Sequence, residues 1–204
     1  MTLEFDKELE EEELLKLEES MDDEELEKRK EQAEELKSEG NELFKNKEFE
    51  SSVAKYTEAL NSCPTKFKKE RSILYGNRAA AKIQLEFFKS AKEDCDKSLE
   101  LNDSYQKIYL RRATLNEKLE HLDESLSDFE KFLTYEPRHA EAQEGKRRLM
   151  IKVNERNEKL KAEALGKLKD LGNLVLRPFG LSTDNFQVTQ NGDGGCSINF
   201  KQNE

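Results

Sequence analysis

Apolar residues recur at helical spacing along most of the chain, in paired runs separated by short polar breaks. Leu36 and Phe44 belong to one run, and Phe49 opens the next, which closes at Pro64 because proline cannot continue a helix. The following predicted helices cover residues 72–85, 88–101, 106–119 and 122–135. The last of them stops before Pro137, so the pattern predicts three successive helical hairpins.

The three hairpins align with one another position by position. Each has a small residue in its first helix (Gly40, Ala79, Ala113), a small one in its second (Ser52, Ala91, Ser125) and a large one after it (Tyr56, Cys95, Phe129). The second hairpin leads to the third after 34 residues, and the first leads to the second after 39, with the extra length in the basic segment 66–71. Small side chains let the two helices of a hairpin approach closely, and no hairpin buries its own face, so the stack must be continuous.

A 34-residue period with small residues at a helix crossing is the signature of the tetratricopeptide repeat, and the chain resembles that family over residues 33–137. The resemblance implies an all-α helical-hairpin solenoid of three repeats, within residues 26–137, whose first helices line a concave surface. Asp103 replaces the closing proline of the second repeat, and Glu39 and Ser52 stand where apolar or small residues are usual. These departures concern local packing rather than the groove.

Five polar residues on the predicted first helices form the candidate binding site: Lys37, Asn41, Asn77, Lys107 and Arg111. The members of the first pair and of the last pair are one helical turn apart, so each pair shares a face. All five side chains can donate a hydrogen bond without losing a proton, and three carry a permanent positive charge. Such a cluster suits anionic groups, most simply two carboxylates.

The same five residues match in identity a subclass of the family, the carboxylate-clamp proteins. That resemblance implies binding of Glu-Glu-Val-Asp tails of heat-shock chaperones of the 90 kDa and 70 kDa classes, with Phe44 and Ile83 holding the apolar residue before the terminal Asp. The alternative is that Asn77 satisfies an internal backbone group and the bases are surface solubility residues. Phe44 and Ile83 are equally compatible with an ordinary core.

Beyond Pro137 the pattern predicts a capping helix over residues 138–171, with Gly172 as its stop. Residues 173–204 form a tail in which alternating apolar residues flank the glycine-rich segment 191–195, and this predicts a small β-hairpin. A two-stranded hairpin is marginal by itself, so we expect it to pack on the capping helix or on a partner.

The string over residues 165–182 is more distinctive than any repeat position and resembles a narrower group within the family. That resemblance implies contacts with Ras-type or heterotrimeric G-protein components. The alternative function is therefore a signalling scaffold, compatible with chaperone binding if the two partners use different surfaces.

The formal net charge of −10 is concentrated at the N-terminus. Residues 1–35 hold 17 acidic and 5 basic residues, whereas residues 36–204 hold 28 and 30. We therefore predict that residues 1–25 are an acidic, largely disordered arm, which could enter the groove and compete with its ligand. Because the rest of the chain has no marked basic excess, nucleic-acid binding is not predicted.

Reactive side chains are few and scattered. Cys63, Cys95 and Cys196 are odd in number and far apart, and His121 and His139 stand alone, so neither a disulfide framework nor a metal site is predicted. No nucleophile–base constellation or cofactor motif is found. No apolar run predicts membrane insertion or secretion. The prediction is a non-enzymatic cytosolic adaptor without a cofactor, whose groove binds chaperone tails while other surfaces bind a second partner.

Overall fold

The structure, a computed structural model, describes Glu8, Leu9, residues 11–190 and residues 196–201. Its helices are α1 (Glu11–Glu18), α2 (Asp23–Lys45), α3 (Phe49–Ser62), α4 (Lys68–Gln84), α5 (Phe88–Leu101), α6 (Gln106–Lys118), α7 (Leu122–Tyr135) and α8 (Ala140–Leu176). Its strands are β1 (Phe186–Gln190) and β2 (Cys196–Phe200). The chain divides into two compact units, one ending at Met150 and one beginning at Ile151.

The first unit contains the three predicted helical hairpins, α2/α3, α4/α5 and α6/α7. Helix α7 has the predicted bounds, but α4 begins four residues earlier than predicted, at Lys68. Arg71, in the first turns of α4, is buried and donates from Nη1 to the carbonyls of Leu60 (2.7 Å) and Cys63 (2.6 Å) at the end of α3. Because these are orphan C-terminal carbonyls, a cation there stabilises the end of α3, and the basic segment extends α4.

Three hydrophobic clusters fill the first unit, and each joins one hairpin to the helix that follows it. The first cluster unites α2, α3 and α4, the second α4, α5 and α6, and the third α6, α7 and α8. In the third cluster, Ala142 and Leu149 of α8 are fully buried against Phe129 and Phe132. The beginning of α8 therefore caps the last hairpin, as predicted.

Small residues at the crossing bring the two helices of a hairpin into direct contact. A Cβ atom on Gly40 would lie 2.7 Å from the ring of Tyr56. The hydroxyl of Ser52 donates to the Gly40 carbonyl (2.9 Å), and the hydroxyl of Ser125 donates to the carbonyl of Ala113 (2.7 Å). Ser52 therefore makes an interhelical hydrogen bond that Ser125 makes again in the third repeat, and it is not a packing defect.

The turn inside each hairpin has the same backbone geometry, which the sequence did not reveal. Lys47, Glu86 and Glu120 have φ values of 65°, 61° and 62°, in the left-handed region. Around Glu86, the Phe87 N–H donates to Lys82 O and the Glu86 N–H donates to Ile83 O, a Schellman motif that the other two turns repeat. The usual residue at this position is glycine, so each turn retains some backbone strain.

The N-terminal segment, whose composition predicts a largely disordered arm, contains helix α1. Leu14 is only 1% exposed, and the Glu18 carboxylate accepts from the backbone N–H (2.9 Å) and hydroxyl (2.6 Å) of Thr65. Asp22 and Glu25 then form a capping box that begins α2. A few specific contacts thus position a segment that has little apolar surface.

In the second unit α8 continues through Gly172 to Leu176, so the predicted stop at Gly172 is wrong. A Cβ atom there would lie 2.7 Å from the Thr183 methyl group, and Asn173 Oδ1 accepts from the Thr183 N–H (2.6 Å). Gly172 therefore makes room for the returning chain instead of ending the helix.

The predicted hairpin is confirmed as an antiparallel pair of β1 and β2. Phe186 lies opposite Phe200, and their ring centroids are 5.4 Å apart. Its predicted turn, residues 191–195, lies outside the described residues.

Replacing Glu86 by glycine should raise the free energy of unfolding by about 0.5–1 kcal/mol. Glycine removes the left-handed strain, roughly 1–2 kcal/mol, and gives back part of it as unfolded-state entropy. The matched control is Glu93→Gly, at an exposed position inside α5, which should lower stability by about 1 kcal/mol. Urea denaturation compares the two variants; equal destabilisation by both would contradict the strained turn.

Candidate functional site

The five candidate residues all lie on the first helices of the hairpins. Lys37 and Asn41 are on α2, Asn77 is on α4, and Lys107 and Arg111 are on α6. We call the surface of α2, α4 and α6 that carries them the inner groove. The described contacts unite three of the five closely, place a fourth beside them and leave the fifth paired with a neighbour on its own helix.

Asn41 is the centre of the group. Its Oδ1 atom accepts from the Tyr56 hydroxyl (2.8 Å) and from Asn77 Nδ2 (3.2 Å). Because both acceptor positions of this oxygen are used, the orientation of the amide is fixed and its NH₂ group is left to donate. A contact between α2, α3 and α4 thus presents an N–H donor in the inner groove.

Arg111 connects α6 to this group. Its guanidinium donates to the backbone carbonyl of Gly76, the residue before Asn77. Burial raises the pKa of the Tyr56 hydroxyl, and a hydrogen bond with Ser52 and the positive charge of Arg111 partly offset that rise. Arg111 is therefore held next to the two asparagines with part of its donor set still available.

Lys107 shares an open depression of about 520 Å³ with Arg111. The side chain of Lys107 is exposed, and in the described part of the chain its ammonium has no hydrogen bond or ion pair. Ile83, Leu110 and His139 also line this depression. The Lys107 ammonium thus lies at the rim of a partly apolar depression, where it can bind an anionic ligand.

Lys37 is engaged elsewhere in this structure. Its ammonium lies 3.1 Å from the carboxylate of Glu34, one turn earlier on α2. Glu34 is half exposed, and such surface pairs contribute little free energy, so a ligand carboxylate can displace it readily.

The two apolar candidates separate. Ile83 lines the depression with Lys107 and Arg111 and also packs against the second hydrophobic cluster. Phe44 packs against the first cluster, with its ring 5.4 Å from that of Phe49 in an edge-to-face contact. Ile83 is therefore placed to meet a ligand in the depression, whereas the described contacts of Phe44 are those of a core residue.

Three residues of the site were not found from the sequence. Tyr56 orients Asn41, and its large side chain gave only a packing signal. Leu110 and His139 border the depression, and His139 also accepts the Ala142 N–H through Nδ1 (3.3 Å), which caps the start of α8. The position of His139 depends on how α8 packs on the third hairpin, which the repeat pattern does not specify.

Similarity to known proteins agrees with this architecture. No protein-family model matches the chain. The chain is 43% identical over 96 residues to the rat mitochondrial import receptor subunit TOM70; the match covers 47% of this chain and 16% of the receptor subunit. The chain thus spans about a sixth of that relative's length.

Two solved structures match over most of their own length. The Arabidopsis OM64 TPR domain is 34% identical, with 59% of this chain and 96% of that domain covered and a TM-score of 0.54. The first TPR of Spaghetti (RPAP3), bound to the HSP90 peptide SRMEEVD, is 31% identical, with 60% and 93% covered and a TM-score of 0.55. The chain belongs to the tetratricopeptide repeat family.

An arginine–aspartate ion pair within the second tetratricopeptide repeat recurs 34 residues later within the third; it is buried in the second repeat and partly buried in the third. Arg78 donates to both oxygens of Asp94 (2.9 and 2.6 Å), and Arg112 does the same to Asp128 (2.9 and 2.7 Å). Each pair joins the first helix of a repeat to its second helix. Bidentate geometry fixes the rotation of one helix against the other, and with it the direction of the neighbouring residues Asn77 and Arg111.

Other chemistry has little support within the described residues. Burial raises the pKa of the Cys63 thiol to about 11 and that of Cys95 to about 12, so both remain protonated near neutral pH. Across the described ranges, histidine, cysteine and acidic side chains form no group of three suited to a metal ion. None of the helices described combines the length and apolar character needed to cross a bilayer.

Tyr56→Phe should lower the free energy of unfolding by about 1 kcal/mol, because the ring packing on Gly40 is retained and one hydrogen bond to Asn41 is lost. The side-chain amide of Asn41 should also lose its single orientation, visible as broadened NMR signals. Tyr135→Phe is the control, since its hydroxyl has no hydrogen bond among the described residues. If both variants leave the Asn41 amide signals unchanged, Tyr56 does not orient it.

Proposed function

We propose that this chain is a non-enzymatic co-chaperone-like adaptor whose inner groove binds the C-terminal carboxylates of cytosolic heat-shock chaperones. The ligand is a tail ending in Glu-Glu-Val-Asp, from the 90 kDa or the 70 kDa class. Its last residue offers a side-chain carboxylate beside the main-chain one. Other surfaces of the chain bind a second partner.

The observation that carries the proposal is the fixed donor set of the inner groove. Asn41, with its oxygen already occupied, has its NH₂ group left to donate, and Asn77 and Arg111 beside it carry further N–H groups besides those that donate to Asn41 and to the Gly76 carbonyl. Lys107 adds an exposed ammonium at the edge of the depression, and Lys37 becomes available once Glu34 is displaced. Two carboxylates satisfy such an arrangement with charge-assisted hydrogen bonds.

The relatives support the same reading. The Spaghetti domain named above was solved with a peptide that ends in Glu-Glu-Val-Asp, and it matches this chain across its repeats. The depression beside Lys107 and Ile83 offers apolar surface for the valine of such a tail. The relatives named above give no support to Ras-type or heterotrimeric G-protein partners, and we do not propose that scaffold role.

Affinity should be moderate. Each hydrogen bond to a charged group contributes roughly 1.5–3 kcal/mol. Ordering a short disordered peptide offsets part of this, so a dissociation constant on the order of micromolar is expected.

Lys107→Ala and Arg111→Ala should each weaken binding of a peptide ending in Glu-Glu-Val-Asp by roughly 10- to 100-fold, the value of one charge-assisted interaction. Lys107→Ala should leave the melting temperature unchanged, because its side chain is exposed. Titration calorimetry measures the affinity, and circular dichroism checks the fold.

Lys89→Ala is the matched control, since it removes one exposed charge from α5, outside the groove. The proposed carboxylate clamp would be contradicted if both groove variants retained full peptide affinity, or if Lys89→Ala lowered the affinity as much as they do.

The same peptide with an amidated C-terminus should bind at least tenfold more weakly than the free acid. Amidation removes one of the two carboxylates while the sequence stays the same. The difference should shrink for the Arg111→Ala variant if Arg111 receives that carboxylate. Fluorescence anisotropy with both peptides, at low and at physiological salt, measures the effect; equal affinities would place the peptide outside the donor set.

A further inference from the structure

A second carboxylate-binding arrangement lies away from the inner groove, on the buried arginine of the second repeat. Arg78 and Arg112 occupy equivalent positions, and each holds an aspartate of its own repeat. The remaining nitrogen, Nη1, differs in its partner. In Arg112 it donates to Asp96 Oδ1 (2.7 Å), but in Arg78 it donates to the hydroxyl of Thr57 (3.0 Å).

Thr57 stands where the next repeat has Asp96, 39 residues further on, which is the step between the first two repeats. Asp94 is moreover shared, because the Lys82 ammonium lies 3.0 Å from it, whereas the equivalent of Lys82 in the third repeat is the neutral Asn116. In the described contacts the repeats thus supply Arg112 with two aspartates, whereas Arg78 shares Asp94 with Lys82. A buried arginine is stable only where anionic partners compensate it, so this position favours a further carboxylate.

That carboxylate comes from the N-terminal segment. Glu8 Oε2 lies 2.6 Å from Arg78 Nη2, Glu8 also accepts from the Tyr75 hydroxyl, and Lys97 lies 3.5 Å away at the rim. Burial alone would raise the pKa of Glu8, but Arg78, Tyr75 and Lys97 together hold it below its usual value. We call Tyr75, Arg78 and Lys97 the outer site.

The residues after Glu8 extend this contact along the outer side of the repeats. The Leu9 N–H donates to Asn61 Oδ1 (2.9 Å), Leu14 is buried, and Glu18 holds Thr65. The acidic arm, for which entry into the inner groove is one hypothesis, lies in its described part against α3, α4 and α5.

This contact is also of the kind that opens easily. Among the leucines of α1, Leu14 is buried, but Leu15 and Leu17 are 47% and 46% exposed. The described contacts of the segment are mainly polar. A segment with so little buried apolar surface has a low free energy of local unfolding, so it detaches more readily than the helices of the repeats.

We propose that the outer site is a binding site for acidic segments, which the chain fills with its own Glu8, Leu9 and residues 11–18 and which accepts an acidic segment of a partner when those residues leave. The partner's segment carries a glutamate for Arg78 and Tyr75, a buried leucine six residues later and a second carboxylate for Thr65. It binds independently of the inner groove, since it uses no residue of the carboxylate clamp.

The test uses the full chain and a fluorescent peptide of residues 4–20 as the probe. Glu8→Gln combined with Glu18→Gln weakens the chain's own segment. The peptide should therefore bind this variant at least tenfold more tightly than the unaltered chain, in which the tethered segment competes at high effective concentration. The matched control is Glu12→Gln with Glu19→Gln, which makes the same charge change at two exposed positions, one in α1 and one directly after it, and should behave like the unaltered chain.

Two further substitutions locate the peptide on the molecule. In the Glu8→Gln, Glu18→Gln background, Lys97→Ala should reduce peptide affinity at least threefold, and Lys107→Ala should leave it unchanged. Glu18→Gln by itself, which keeps Glu8 on Arg78, should give an intermediate affinity, and circular dichroism verifies the helical content of every variant.

Equal peptide affinity for all chains would overturn the proposal. So would a loss of binding caused by Lys107→Ala and not by Lys97→Ala, because the peptide would then occupy the inner groove. Failure of the chaperone peptide to bind would refute the clamp and leave this result untouched.

Discussion

Each helical hairpin of this protein leaves one apolar face uncovered, and the stability of the repeats depends on the next helix covering it. The three hydrophobic clusters show this directly, since every one of them includes the first helix of the following element. For the last repeat that helix is the start of α8. Cooperativity is therefore between neighbours, as in other stacked-repeat proteins.

The same stacking determines which side chains can act together. The inner groove exists because α2, α4 and α6 lie side by side, and its donors are oriented by residues that belong to the packing. Tyr56 fills the space next to Gly40 and at the same time fixes the amide of Asn41. Structural and proposed binding roles thus meet in one residue, so a substitution there affects both.

Arginine side chains have different partners on the two sides of the repeats. On the inner side, Arg111 keeps donors available for a proposed ligand from outside. On the outer side, Arg78 and Arg112 are compensated by aspartates. Arg78 donates from Nη1 to Thr57 where Arg112 donates to Asp96, and from Nη2 it also donates to Glu8. Repeats that share one backbone can therefore differ in the partners of an equivalent side chain.

The sequence alone determined the number of hairpins, their approximate bounds and the five candidate residues, because helical spacing and the 34-residue period depend only on local periodicity. Only the tertiary structure decided how far α8 extends. Gly172 makes room for Thr183 of the returning chain and does not end the helix, and the sequence pattern around it does not show this contact. The strained turns at Lys47, Glu86 and Glu120 and the position of Glu8 on Arg78 were equally hidden. The position of Glu8 depends on a contact between segments that are distant in sequence. The strained turns have a left-handed backbone at lysine and glutamate, residue types that do not predict it. Hydrophobic periodicity carries no information about long-range contacts or about single backbone angles.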